Sequence, residues 1–378
     1  AYINHYVGQA YFSRSYAYFE LALHYCKNYD PASAGSDYGI PLVTEYAPSS
    51  DYSKYPGRSS LKETFDFIVK DLEQASNLVG IQGEAQSAYI TLDVVEALKA
   101  RVYLEMEDYQ NAAAAAQGLI NSKRYTLISD GDAYKKMWLN DVGTEAIWQF
   151  AMSKTETGSN ALGSSFMGIV DKLPRPSYLP VKSVLNLYDK ENDIRYDAYF
   201  TTGLIDRQVG DDIEVTYCSK WPGNPELYEG KSNNVNKLKA FRISEMYLIA
   251  AEAYAMLNQE DKASEMLNEL KKIRIKGWTE TVYNGAALMQ EIQDERVREL
   301  FAEGNRLFDM KRWKIGMKRS SSDAQRDDYL PALGTDIEKE ATDNRWVWPI
   351  PKDEMDSNPQ LVSYTHLRAH ETCADLVC

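Results

Sequence analysis

Ala97-Leu98-Lys99-Ala100-Arg101-Val102-Tyr103-Leu104, followed shortly by Asp108-Tyr109 and Ala112-Ala113, is the stretch whose reading decides the fold. Apolar and small residues recur there at three- and four-residue steps, the period of helices with one face turned inward. Alanines at 100, 112 and 113 let two successive helices approach closely. The arrangement returns once, because Ala251, Tyr254 and Ala263 stand to one another as Ala100, Tyr103 and Ala112 do.

This small-residue and aromatic spacing is that of a tetratricopeptide helix pair. Two copies so far apart predict separate units with an insertion between them, not a continuous solenoid. Helical periodicity covers 9–29, 60–78, 91–105, 109–122, 243–257, 261–275 and 286–312, so the architecture is mainly α. Between Trp138 and Lys239 the pattern gives way to segments such as Leu173-Pro174-Arg175-Pro176-Ser177-Tyr178 and Trp221-Pro222-Gly223-Asn224-Pro225, which read as loop and short strand. Long loops rich in Tyr and Trp point to function rather than disorder. The expected organisation is one domain over 1–361, with a helical scaffold at 1–137 and 240–361 and a loop-rich insertion at 138–239 that carries the ligand site.

A chain of 378 residues with 44% hydrophobic composition buries a sizeable core. Its 42 Lys+Arg stand against 56 Asp+Glu, a net charge of -14, which argues against nucleic acid and anionic membrane surfaces as partners. No run of 18 apolar residues and no leader pattern is present, so nothing in 1–378 is expected to span or target a membrane, and if the protein is exported its signal lies upstream of Ala1. From Val362 onward the character changes to Val362-Ser363-Tyr364-Thr365-His366-Leu367-Arg368-Ala369-His370-Glu371-Thr372-Cys373-Ala374-Asp375-Leu376-Val377-Cys378, which resembles translated adaptor sequence and reads as a foreign tail over 362–378. Setting it aside leaves His5, His24, Cys26 and Cys218, too few and too scattered for a zinc site, a disulfide framework or a cysteine nucleophile with its base.

No nucleophile elbow, phosphate loop, dinucleotide fingerprint or His-Glu-x-x-His occurs, so no cofactor is expected. Asp130 and Asp132 flank Gly131 as in a polar turn and lack the remaining ligands of a calcium loop, so no metal is expected either. Glu295, Arg298, Glu299, Glu303, Arg306, Asp309 and Arg312 fall mostly at three- and four-residue steps on the 286–312 helix, giving facing ion pairs. Carboxylates interleaved with arginines are held ionised, the wrong tuning for a glycosidase acid, so the row reads as a structural charge network.

Several blocks in order resemble the SusD-like (RagB/SusD) family. They are Arg14-Ser15-Tyr16-Ala17-Tyr18-Phe19-Glu20-Leu21, Gly39-Ile40-Pro41-Leu42-Val43, Asp71-Leu72-Glu73-Gln74-Ala75, the 97–104 helix, Phe241-Arg242-Ile243-Ser244-Glu245-Met246-Tyr247-Leu248 with Ala251-Glu252-Ala253, and Leu267-Asn268 to Ile273-Arg274. The most specific is Asp294-Glu295-Arg296-Val297-Arg298-Glu299-Leu300-Phe301-Ala302-Glu303-Gly304-Asn305-Arg306-Leu307-Phe308-Asp309-Met310-Lys311-Arg312-Trp313, and Pro349-Ile350-Pro351 with Glu354 and Asn358-Pro359 closes the set. The resemblance implies a non-catalytic, surface-exposed outer-membrane lipoprotein of a starch-utilisation-like system. Such a protein binds glycan on loop-borne aromatics for delivery to a SusC-like TonB-dependent transporter, and touches the membrane only through a lipid anchor upstream. The loop aromatics here are Tyr46, Tyr52 and Tyr55 after Pro41, and Tyr217, Trp221 and Tyr228 before the second repeat unit. Trp221 is the leading candidate, because beside Pro222-Gly223-Asn224-Pro225 it has no helix period to place it in a core. A peptide-binding member of the family and, more remotely, an all-helical carbohydrate hydrolase are the alternatives.

Overall fold

The computed structural model describes residues 2–156, 162–170, 172–207, 210–228, 234–326 and 338–365. The scaffold begins with α1 (Tyr2–Tyr25), α2 (Leu61–Leu78), α3 (Leu92–Glu105) and α4 (Tyr109–Asn121). Ser60 starts α2 with a reciprocal cap: its hydroxyl accepts from the Glu63 amide at 3.1 Å, and the Ser60 amide donates to the Glu63 carboxylate at 2.8 Å. Thr91 and Asp108 cap α3 and α4 through the amides of Val94 and Asn111. Asp130 caps α5 (Gly131–Leu139), so this aspartate serves a helix start.

β1 (Ala146–Gln149) leads into the insertion, which contains α6 (Leu162–Met167), β2 (Ile169–Val170), β3 (Leu173–Pro174), α7 (Lys182–Leu185), α8 (Ile194–Tyr199) and the hairpin of β4 (Phe200–Ile205) with β5 (Ile213–Cys218). β6 (Lys239–Arg242) returns antiparallel to β1, Ala146 opposite Arg242 and Gln149 opposite Lys239, so the insertion leaves and rejoins the scaffold through one two-stranded clasp. Then follow α9 (Ile243–Met256), α10 (Glu260–Arg274), α11 (Gly285–Glu299), α12 (Arg306–Arg312), the pair β7 (Met317–Lys318) and β8 (Glu338–Lys339), and α13 (Lys352–Ser357). None of the described helices is long and apolar enough to cross a membrane.

α1 packs on α2, α3 on α4, α4 on α9, and α9 on both α10 and α11. The two repeat units, separated in sequence by the insertion as expected, stack directly against each other. Ala112, Ala113 and Ala116 on α4 and Ala250, Ala251 and Ala253 on α9 are all buried, and small side chains on both helices permit the close approach. The expected helix over 286–312 is corrected. It ends at Glu299, turns, and restarts at Arg306, with Ala302 at φ 57 and Gly304 at φ 84 in the left-handed region that stops a helix.

Three clusters result, a small one on the β4–β5 hairpin and two larger. The largest runs through the helical stack and takes in Trp148 and Phe241 of the clasp; the second, where α5 packs on the insertion, gathers Tyr134, Trp138, Tyr188, Tyr199, Phe200 and Trp221. A buried ionic seam joins these two. Glu299 accepts from Arg242 at 2.8 Å, Arg274 at 2.9 Å and Arg195 at 3.1 Å, while Glu145 holds Arg274 at 2.8 Å and Glu303 holds Arg242 at 2.6 Å and Lys220 at 2.7 Å. Arg195 and Lys220 belong to the insertion, Arg242 and Arg274 to the scaffold, so the seam locks one onto the other. A second group ties α12 to α3 and α9, Arg312 pairing with Glu105 at 2.5 Å, Glu252 at 2.8 Å and Asp309 at 2.8 Å.

Candidate functional site

Trp221 is 2% exposed. Its ring meets Trp138 edge-on at 5.1 Å and its indole N–H donates to the Ala302 carbonyl at 3.1 Å. It is a core residue, and the candidacy that rested on its missing helix period is corrected: just after β5 the chain turns inward, where the second core takes a large ring. Tyr217 is corrected likewise, being 8% exposed and packed with Ile205, Ile213 and Val215 on one face of the hairpin. Tyr228 is half-buried at the end of the 3-10 turn Pro225–Leu227.

Of the candidate aromatics, those that reach solvent lie on the scaffold, in loop 42–58. Tyr46 is 94% and Tyr52 57% exposed, and Tyr55 stands edge-on to Tyr52 at 5.6 Å and 87°. The loop leaves a tight base: a Cβ on Gly39 would lie 2.0 Å from the Thr64 hydroxyl oxygen, so only glycine fits there. Tyr18 clips the first arm, its hydroxyl donating to the Val43 carbonyl at 3.1 Å and accepting from the Val43 amide at 2.8 Å. Arg58 closes the second arm, donating to the carbonyls of Gly39 at 2.5 Å, Tyr25 at 2.7 Å and Val362 at 2.8 Å. At the tip Asp51 caps the 3-10 turn Tyr52–Lys54, and the Tyr55 hydroxyl donates to the Ser49 carbonyl at 2.9 Å. Gln360 donates to the carbonyls of Tyr55 at 2.6 Å and Ser53 at 3.2 Å, and Asn358 to that of Pro56 at 3.0 Å.

The result is an aromatic ledge whose backbone is fixed at both arms and at the tip, with Asp51, Ser49 and Lys54 beside the rings. Ring faces pack against sugar C–H groups and flanking polar groups take hydroxyls. Ser53 donates to Asp51 from both its amide and its hydroxyl, holding that carboxyl below the usual range and ionised at neutral pH. The anchors Tyr18, Arg58, Asn358 and Gln360 were not legible as such; the Asn358-Pro359 block pointed to a closing segment without saying what it closes upon. Tyr89, 73% exposed before α3, is a further open ring that sequence reasoning passed over.

The carboxylates of the seam are not poised for acid catalysis. Arg274, Arg242 and Arg195 outweigh desolvation and hold Glu299 well below the usual carboxylate range, and Arg242 and Lys220 outweigh it at Glu303 and lower that carboxyl too. Burial pushes the Cys218 thiol up to about 11, so it is protonated at neutral pH. Among the described residues no group of three His, Cys, Asp or Glu side chains is arranged to hold a metal ion.

The described chain is thus a helical stack that carries a clasped insertion and an anchored loop of exposed rings. Residues 212–366 match the model of the SusD family, and residues 2–104 match a SusD-like model described as starch-binding associating with outer membrane. The chain is 25% identical to SusD-like protein P38 of Formosa agariphila, over 95% of this chain and 73% of that protein. Among solved structures it is similar to a SusD superfamily protein of Bacteroides thetaiotaomicron, with a TM-score of 0.78 and 26% identity over 96% of this chain and 78% of that one. A SusD-like carbohydrate binding protein of Bacteroides vulgatus shares the fold, at a TM-score of 0.73 and 20% identity over 98% of this chain and 79% of that one. The chain belongs to the SusD/RagB family, whose members are non-catalytic binding proteins.

Proposed function

We propose that this protein is a carbohydrate receptor at the outer membrane, holding an oligo- or polysaccharide on Tyr46, Tyr52 and Tyr55 and passing it unaltered to a SusC-like TonB-dependent transporter. The observation that carries the reading is the pinned, solvent-facing ledge, since a loop fixed at both arms and its tip presents rings without an ordering cost at binding. The family model described as starch-binding associating with outer membrane supports both the ligand class and the location. A lipid anchor upstream and the transporter partnership belong to the same proposal. An aromatic contact adds about 0.5–1.5 kcal/mol beyond the area it buries. A few such contacts with some hydroxyl hydrogen bonds give dissociation constants from about a millimolar to tens of micromolar, suited to handing cargo on. Calorimetry with an oligosaccharide panel tests it: Tyr52→Ala, at an exposed position, should fold normally and lose affinity roughly 5- to 10-fold. Equal affinities would remove the ledge from the site, and release of reducing ends by the parent protein would make it an enzyme.

A further inference from the structure

We infer that the ledge selects neutral glycans and rejects polyuronates and sulfated chains; this rests on the ledge being the binding site. Recognition of a carboxylate or sulfate needs a cation free to meet it, most effectively a guanidinium with an open fork. Loop 42–58 contains one arginine, Arg58, and its fork is taken up by the backbone: Nε, Nη1 and Nη2 donate to the carbonyls of Gly39, Val362 and Tyr25. Its charged group also lies against the rings of Tyr38 at 5.5 Å and Tyr364 at 5.2 Å, on the anchored side of the loop. Lys54 is the loop's lysine, and its ammonium stands 3.9 Å from the Asp51 carboxylate.

The carboxylates, by contrast, face water. Glu45 and Asp51 are exposed on the loop beside Tyr46 and Tyr52. α13 runs directly into the 358–360 segment that clamps the loop tip, and it exposes Asp353, Glu354 and Asp356 against Lys352. The local excess of negative charge has the sign of the whole chain, -14, so approach and contact are opposed alike. At physiological salt the screening length is about 8 Å, so charges flanking the rings still act on a bound chain. A neutral sugar meets none of this repulsion, and the hydroxyl partners it needs are present. Specificity of this kind arises by penalising the wrong ligand rather than by improving the right one.

The test is calorimetry of the protein and its Tyr52→Ala variant with neutral probes (maltohexaose, mixed-linkage β-glucan, xylan, mannan) and anionic ones (oligogalacturonate, alginate, dextran sulfate), at about 20 mM and about 500 mM salt, where the screening length differs several-fold. Expected is binding of at least one neutral probe, insensitive to salt and weakened several-fold by Tyr52→Ala, with every anionic probe at least tenfold weaker at low salt. An anionic probe that binds at low salt as tightly as any neutral one, and is weakened by Tyr52→Ala, overturns the charge inference and leaves the ledge standing. Glycan binding unchanged in Tyr52→Ala, or no binding by either class, brings down the ledge reading and this inference with it.

Discussion

A ring can stack on a sugar only through a face that water reaches, and that condition separates Trp221 from Tyr52. Trp221 is enclosed by Trp138 and the Ala302 carbonyl, so Trp221→Ala opens a cavity in the second core, a change that costs about 3–5 kcal/mol. Its melting temperature should fall by several degrees while glycan affinity per folded molecule stays unchanged, which a thermal melt paired with calorimetry at a temperature below the transition would check. Lost affinity in a variant of unaltered stability would return Trp221 to the site. The sequence could reveal which residues were aromatic and lay in loops, but not which side of each loop faces the core. Tyr52 and Trp221 sit in similar surroundings of Pro, Gly and Ser, and the difference is made by residues far along the chain: Gln360 under one loop, Ala302 under the other.

The break between α11 and α12 redistributes a row of charges that periodicity placed on one helix. Glu299 ends α11 in the buried seam, whereas Arg306 opens α12 exposed, its guanidinium 5.8 Å from the Trp313 ring centroid. Arg306→Ala is therefore expected to shift stability by no more than about 0.5 kcal/mol, the range of ordinary surface changes. Glu299→Gln strands Arg195, Arg242 and Arg274 without their common counter-charge, and removal of one partner of a buried ion pair costs about 3–5 kcal/mol. Urea midpoints of the two variants would check both. The pH dependence has a definite sign. Glu299 is held well below its unfolded value, so its contribution is complete above about pH 4.3 and is lost as pH falls through the folded value. Urea midpoints followed from neutral pH into this acid window should drop steeply in the parent and less so in Glu299→Gln; parallel curves would take Glu299 out of the acid sensitivity. The structural role of this row was legible from its alternating signs, but its division was not, because Phe301-Ala302-Glu303 continues a helical pattern that left-handed Ala302 and Gly304 override.

Across the whole molecule, the helix pairs were legible because each carries its own small-residue period, while their stacking was not, since α4 meets α9 only after the insertion has left and returned through its clasp. The closure of the chain's far end on its beginning was equally hidden. Residues 362–365, read from sequence as the start of a foreign tail, lie against the scaffold, which corrects that boundary for these four. The Tyr364 hydroxyl accepts from the Tyr38 amide at 2.7 Å, Lys27 and Arg58 face its ring at 5.0 and 5.2 Å, and the Thr365 hydroxyl donates to the Val347 carbonyl at 3.2 Å. The SusD family match likewise runs to residue 366, and residues 366–378 lie outside the described ones. Two truncations distinguish the parts. Removal of 366–378, which we propose is the foreign portion, should leave melting temperature and glycan affinity unchanged. Removal of 362–378 also takes the Val362 carbonyl from Arg58 and the Tyr364 ring from two cations. Hydrogen bonds at about 1 kcal/mol each and cation–π contacts at about 0.5–1 kcal/mol put the loss on the order of 2–3 kcal/mol. Because Arg58 closes the second arm of the ledge, the longer truncation should also raise hydrogen exchange across 42–58 and weaken glycan binding. Identical melting and exchange in the two truncated proteins would show that the contacts of 362–365 contribute nothing and that the sequence boundary at Val362 was right.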